Sequence, residues 1–443
     1  MFANFGDPSR RRHMPAIPTV SAHTEQEQLR TVERRHSVAS SDQQHVEEEV
    51  GKVDVLVAGS LAVDLSCDYS PLAPDKTDIT PALHTSNPAV IGQSFGGVGY
   101  NVALASNNLG SSVLFCSVVG DDLTGRAALS SVRKQGLSTE AIQVLPPSSG
   151  GRTAQYVAVN DAKRDLLVAM ADMNIMESAE KDLNFESFWE PLVRRSRPQW
   201  MVADANWKTD VLAKWVRMGK KYGSRIAFEP VSTAKSRRLF GRGGGVGDNN
   251  AAIGPSDSVP NHSIDLAAPN RLELAAMHMA AGEAGLFDSS GWWRVIDAMG
   301  MAWSGCRERL VAMTSAALVN EGIPQQSIQL LPFIPCVVTK LGAQGVLLTQ
   351  LLRPGDGRLT SGDSGEYILS RASTSDELVG GIYMRHFGPA EVMDEGDIVS
   401  VNGAGDALVG AVVSGLSREA TTTVEEVIPM GQEASVRRLR GQH

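Results

Sequence analysis

The run Ser400-Val401-Asn402-Gly403-Ala404-Gly405-Asp406-Ala407-Leu408-Val409-Gly410 sets a glycine-rich turn and a carboxylate at the mouth of an apolar helix, Ala407 to Leu416. Glycines let the backbone turn tightly and bring its N–H groups close to a ligand. The first turn of a helix carries unpaired N–H donors and a partial positive charge, so it can hold an anion. A carboxylate beside such a cradle can take a proton from a hydroxyl while the anion gathers charge. That chemistry is phosphoryl transfer to an alcohol. Taken alone, the loop reads equally well as a strand end that simply starts a helix.

A second constellation tips the balance. Gly96-Gly97-Val98-Gly99-Tyr100-Asn101 opens an Ala-rich helix that ends at Leu109-Gly110. A turn needs one glycine; three within four positions allow close approach of the backbone to a polyhydroxylated ligand, with the Asn101 amide offered to its hydroxyls. The dinucleotide fingerprint is excluded, because the first strand is followed by Gly59-Ser60-Leu61-Ala62-Val63-Asp64 rather than G-x-G-x-x-G. Asp64 falls just past that strand, where open parallel sheets collect ligands. It reads as a turn former or as an acceptor for two sugar hydroxyls.

The elements that must position these residues follow from the apolar runs. Val53 to Gly59, Val113 to Val119, Trp200 to Ala203, Arg225 to Phe228 and Cys336 to Thr339 read as buried strands, with helical stretches between them, one near Asn101 to Leu109. Strands alternating with helices predict an α/β, doubly wound, mainly parallel sheet. Gln155 to Asn160 and Asp165 to Ala171 read as a strand pair around Asp161-Ala162-Lys163-Arg164. Residues 1–50 are polar and charged and are expected to form a disordered tail. Arg242 to Pro260 and Arg353 to Glu366 are expected to be inserted or poorly ordered.

Composition bounds the function. A chain of 443 residues with 42% hydrophobic content can bury a large core, and a formal net charge of -9 argues against nucleic acid or an anionic membrane as the main partner. Cys67, Cys116, Cys306 and Cys336 show no CxxC spacing, so buried thiols are expected rather than disulfides or a zinc site. No apolar run reaches membrane-spanning length, and no secretory signal is apparent. The cytosol is the expected compartment.

Together these residues resemble the ribokinase-like, or pfkB, family of carbohydrate and nucleoside kinases. Gly96 to Gly125, including Val119-Gly120-Asp121-Asp122-Leu123-Thr124-Gly125, is similar to that family's first signature, and Ser400 to Gly410 to its second. Within the family the pattern looks most like pseudouridine kinases. The similar segments are Asn87-Pro88, Ala171-Asp172-Met173, Asp204-Ala205-Asn206, Glu229-Pro230-Val231-Ser232 with Lys235, and Pro269-Asn270-Arg271-Leu272-Glu273-Leu274.

The resemblance implies a Rossmann-like domain over residues 51–443 with a small β-sheet lid, from excursions near 65–90 and 151–171. Closing it would exclude water, which competes as acceptor. It implies ATP-dependent phosphorylation of the 5′-hydroxyl of pseudouridine. Asp406 matches the catalytic base, and Gly403, Ala404 and Gly405 the anion hole. Asp64, Gly96, Gly97 and Asn101 match ribose contacts, with Asp172 the candidate for reading the base. Thr339, Gly342 and Gly345 match the nucleotide loop. Asn270 and Glu273 match a pair that arranges phosphate and Mg2+ through water; the plainer reading of that pair is a helix start with an acidic first turn. The partners implied are a small-molecule acceptor and ATP, with a homodimer and a K+ requirement left open.

Two departures qualify the pattern. The second signature usually opens with Asp-Thr where this chain has Ser400-Val401, which bears on loop rigidity and monovalent-ion binding. After Leu416 the chain soon reaches a basic, polar stretch, Ser435 to His443, with no sign of the segments that wall the adenine site. The alternatives are therefore a kinase for another sugar or nucleoside, or a weakened sugar- or nucleoside-binding protein in which ATP binding is lost.

Overall fold

Val55-Leu56-Val57-Ala58 is buried along its whole length, and its side chains divide by strand alternation between two cores. Leu56 and Ala58 join a cluster with Trp189, Trp207 and Trp215, whereas Val55 and Val57 join one with Val102, Leu408 and Val412. A strand covered on both faces needs helical layers on each side. The computed structural model supplies them; it describes residues 52–71, 79–241, 251–301, 305–373 and 375–442. The expected tail, residues 1–50, lies outside the described residues, as do residues 242–250 of the Arg242 to Pro260 stretch. The rest of that stretch packs, with Ile253 buried and its N–H bonded to Leu239 O at 3.1 Å.

In chain order the strands are β1 (Val55–Ala58), β2 (Ala62–Tyr69), β3 (Ala89–Gly96), β4 (Val113–Gly120), β5 (Ile142–Leu145), β6 (Ala154–Asn160), β7 (Leu166–Asp172), β8 (Trp200–Asp204), β9 (Arg225–Glu229), β10 (Leu266–Ala267), β11 (Cys336–Lys340), β12 (Val346–Leu352), β13 (Ile368–Arg371) and β14 (Gly381–Phe387). The longer helices are α1 (Val98–Asn108), α2 (Leu123–Lys134), α3 (Thr209–Lys221), α4 (Arg271–Glu283), α5 (Ala404–Arg418) and α6 (Val424–Leu439).

The main sheet has ten strands in the order β13-β14-β12-β11-β10-β9-β8-β1-β4-β5. From β5 to β11 all pairs are parallel, and β12, β14 and β13 complete one edge antiparallel. The chain leaves β1 towards β4 and β5, then returns past it to β8, so the direction of winding reverses between β1 and β8. Such a reversal opens a crevice at the carboxyl ends of the strands, the usual ligand position in this class of sheet.

A second sheet, in the order β3-β2-β6-β7, forms the lid. Its strands run wider than the spans near 65–90 and 151–171: the first excursion already pairs at Ala62↔Gly96. Asp64 therefore sits inside lid strand β2, opposite Ser94 and Tyr156, rather than in a loop.

The stretch from Arg353 to Glu366, expected to be loose, is pinned instead. Arg358 is almost buried, bonds Asp356, Gln350 Oε1 and Glu425 Oε2, and lies over the Tyr383 ring. The region after Leu416 is also structured. α6 packs on α5 through Val424, Val427, Ile428, Gly431 and Ala434.

Candidate active site

Successive parallel strands deliver polar side chains to one edge. After β1 comes Ser60; β8 ends in Asp204, β9 in Glu229 and β11 in Lys340; the chain beyond β10 reaches Asn270, which bridges to Lys340. Asp204 is fully buried and accepts from Ser60 N at 2.8 Å, Ser60 Oγ at 3.1 Å and Asn206 N at 2.9 Å. These bonds tie the ends of β1 and β8 together beneath the crevice.

α5 begins at the same edge. Gly403 holds φ +80, a left-handed conformation that a side chain resists, and no side chain caps the helix. Ala404 N makes only a long 3.5 Å bond to Val401 O, so the first-turn amides are weakly engaged on the side an anion would approach. A methyl placed on Gly405 would lie 3.2 Å from Lys340 Nζ, so an ammonium stands beside the cradle.

Asp406 occupies the first turn of α5 and is only 9% exposed. Asn101 Nδ2 donates to Asp406 Oδ2 at 2.8 Å, which joins the two signatures across 305 residues. Burial pushes the Asp406 carboxyl up to about 6, against the Asn101 bond and the Lys340 and Arg438 cations, which pull it down. A carboxylate poised near neutrality suits a general base.

Lys340 Nζ donates to both Glu229 oxygens at 2.9 Å. Burial works against the ammonium, but Glu229, Glu273 and Asp406 more than offset it, so the Lys340 pKa is raised and the cation persists. Burial raises the Glu229 pKa, against the pull of the Lys340 ammonium. Neither Lys340 nor Glu229 was assigned a role from the sequence. The available signal was a charged residue at the carboxyl end of each apolar run.

Asp64 and Gly96, both expected to contact the acceptor, lie against each other. A methyl on Gly96 would lie 2.3 Å from Asp64 Oδ2, so the glycine makes room for that carboxylate. Burial raises the Asp64 pKa, against the pull of Arg438. Gly97 starts α1 with φ +102 and sets Asn101 one turn in.

Two expected contacts are placed elsewhere. Thr339 is fully buried with its hydroxyl 3.5 Å from Ser327 Oγ, because strand alternation turns it into the core while Lys340 faces the cleft. Asp172 is held by Arg152, whose Nε and Nη2 donate to Oδ2 at 3.0 and 2.7 Å.

Asn270 and Glu273 form a reciprocal cap on α4: Glu273 N donates to Asn270 Oδ1 at 2.9 Å and Asn270 N to Glu273 Oε2 at 2.8 Å. The plainer reading of that pair is thus realised, and it brings the buried Glu273 carboxylate near Lys340. Gly342 and Gly345 adopt φ +63 and +85 in the tight turn joining β11 to β12, closed by Leu341 N to Gly345 O at 2.8 Å. Among the described residues no group of three or more His, Cys, Asp or Glu is arranged to hold a metal ion.

Residues 52–193 match the family model described as pfkB family carbohydrate kinase. That segment is similar to the pfkB family over its whole length. It carries Asp64, Gly96, Gly97, Asn101 and Asp172; Asp406 and Lys340 lie outside the matched span. A pseudouridine-metabolizing bifunctional protein of Schizosaccharomyces pombe is 27% identical over 386 residues, 86% of this chain and 45% of that protein. A pseudouridine kinase of Escherichia coli is 27% identical over 188 residues, 42% of this chain and 55% of that protein. The chain thus spans about half the length of the curated relatives it matches.

Solved structures share the architecture. A carbohydrate kinase from Agrobacterium tumefaciens superposes with a TM-score of 0.54 at 17% identity, covering 88% of this chain and 97% of that one. An Arabidopsis thaliana ribokinase complexed with ribose and ATP gives 0.53 at 13% identity, covering 88% and 93%. The pfkB segment is therefore the first part of a ribokinase-like fold, which continues through α5 and α6. No described helix is long and apolar enough to cross a membrane.

Proposed function

We propose that this chain transfers the γ-phosphoryl group of ATP to a nucleoside hydroxyl, with the 5′-hydroxyl of pseudouridine as the acceptor. The observation that carries the reading is Asp406, buried at the first turn of an uncapped helix, beside Lys340 and hydrogen-bonded to Asn101. The nucleoside assignment is supported by the names of the relatives that match furthest along the chain.

In this reading Asp406 takes the proton as the acceptor oxygen bonds to the γ-phosphorus. The bond from phosphorus to the β,γ-bridging oxygen breaks and ADP leaves. The amides of Gly403, Ala404 and Gly405 and the Lys340 ammonium face the charge that develops on the phosphoryl oxygens, and they are fixed beforehand. Glu229 keeps Lys340 in place. Asp64, Gly96, Gly97 and Asn101 hold the acceptor, and Asn270, Gly342 and Gly345 line the nucleotide side.

Magnesium binds with several waters, one or two carboxylates and phosphate oxygens. Glu273 is buried and spends Oε2 on the α4 cap, so its other carboxylate oxygen is the one that would hold the ion through water, where the ion would neutralise phosphate charge. The Arg152–Asp172 pair favours a second reading, another sugar or nucleoside as the acceptor, because one oxygen of the residue expected to read the base is already engaged.

A panel of pseudouridine, uridine, adenosine and ribose with Mg-ATP decides between these readings. Faster turnover of pseudouridine supports the assignment. Equal or faster turnover of ribose moves the chain to sugar phosphorylation, and no turnover of any alcohol removes the kinase reading.

A further inference from the structure

α6 comes nearer to the chemistry than its place in the chain implies. It packs along α5, and its end closes on the loop that leads into the cradle. Ser435 Oγ donates to Ala404 O at 2.8 Å, and Arg438 Nε donates to Asn402 O at 3.2 Å. Val399 N and Ser400 N donate to Leu439 O at 2.8 and 3.3 Å. Arg438 shares a cleft with Asn101, Leu104, Gly403 and Ala407. A methyl placed on Gly403 would lie 2.9 Å from Arg438 Nε and 3.0 Å from Asn101 Nδ2, the amide that bonds Asp406.

We propose that Arg438 is a positioning residue of the catalytic centre: it fastens the cradle loop to α6 through Asn402 O and keeps a permanent positive charge beside the Asp406 and Asp64 carboxyls. The inference rests on the reading of Asp406 as a base. A guanidinium stays charged at every working pH, and an opposite charge nearby favours an ionised carboxylate. The groups around Asp406 come from five elements: Asn101 of α1, Asp204 of β8, Glu229 of β9, Lys340 of β11 and Arg438 of α6. Burial and the two neighbouring carboxyls oppose ionisation. Lys340 shares its charge with Glu229, so removing Arg438 tips Asp406 towards its protonated, inactive form.

The experiment compares Arg438→Gln, Arg438→Lys and, as a surface control, Arg418→Gln in the full chain. Two quantities are measured: the pH dependence of kcat with Mg-ATP and pseudouridine, and the carbon-13 NMR titration of the Asp406 carboxyl. In Arg438→Gln the titration midpoint is expected to rise by about half to one pH unit, which lowers kcat about three- to tenfold at pH 5 and far less at pH 8.5. Arg438→Lys should restore most of the midpoint, and Arg418→Gln should match the parent.

A folded Arg438→Gln protein with an unmoved midpoint overturns the inference. So does a loss of kcat that is the same at every pH, because a merely structural clasp behaves that way. If the parent phosphorylates no acceptor but the midpoint still moves, Arg438 keeps its role in setting the charge state and the kinase reading falls instead.

Discussion

Asp406 is where burial and chemistry pull against each other. Its ordinary value is 3.8 and burial pushes it up to about 6. A raised carboxyl contributes stability that is fully present below 3.8 and is lost as pH rises through about 6. A difference of about two units is worth about 3 kcal/mol at neutral pH. Asp406→Asn removes that cost and keeps an acceptor oxygen for Asn101. It should therefore be more stable than the parent by about 1–3 kcal/mol at pH 7.5, with the gain gone near pH 4. Urea unfolding at the two pH values measures this. The same substitution should cut kcat about a hundredfold or more, the scale of a lost general base. Near-normal turnover, or an equal stability gain at both pH values, would remove Asp406 from its assigned place.

At the scale of elements, the first signature also serves as the lid's anchor. Asp122 caps α2 by accepting from Gly125 N at 2.6 Å, and it also accepts from Thr153 N at 2.9 Å and Thr153 Oγ1 at 2.8 Å. Gly120 N donates to the same Thr153 hydroxyl at 3.0 Å. Thr153 is fully buried immediately before β6, so the lid enters from a point fixed to both β4 and α2. Asp122→Ala removes a helix cap and strands the Thr153 donors. It should cost about 1–3 kcal/mol of stability and raise the acceptor KM more than it lowers kcat. An unchanged unfolding midpoint with unchanged KM would show that the anchor lies elsewhere. The elements were legible wherever the signal is local: β1, β4, β8, β9 and β11 follow from short apolar runs, and α5 from the glycine turn before it. Asp64 was misplaced because its strand exists only through pairing with Ser94 and Tyr156, far along the chain. The Lys340–Glu229 pair joins residues 111 apart, a contact no spacing rule reaches. α6 was legible but unread: Thr423-x-x-Glu426 begins a helix, and Val424, Val427, Ile428 and Gly431 recur at helical spacing.

Across the whole molecule, the antiparallel edge of the main sheet and the C-terminal helix are coupled through one side chain. Arg358 is 13% exposed and makes contact with four elements of structure at once. Two bonds of 2.8 and 2.9 Å reach Asp356 in its own loop, one of 3.0 Å reaches Gln350 in β12, and one of 2.7 Å reaches Glu425 in α6. Its guanidinium carbon lies 5.0 Å from the centre of the Tyr383 ring in β14. Desolvation disfavours the cation, but Asp356 and Glu425 outweigh it and raise the Arg358 pKa. Removing one partner of a buried ion pair leaves the others desolvated and unpaired, which costs about 3–5 kcal/mol. Arg358→Ala should lose stability on that scale, with the loss concentrated in the 353–366 loop and the start of α6. Hydrogen exchange would locate it there before the parallel core. Because α6 holds the cradle loop through Ser435, Arg438 and Leu439, the same substitution should lower kcat although Arg358 is no part of the cleft. Arg358→Lys restores charge but not the forked geometry, so it should recover only part of the stability. If exchange in α6 matches the parent while stability falls, the two regions are independent and Arg358 serves its own loop alone.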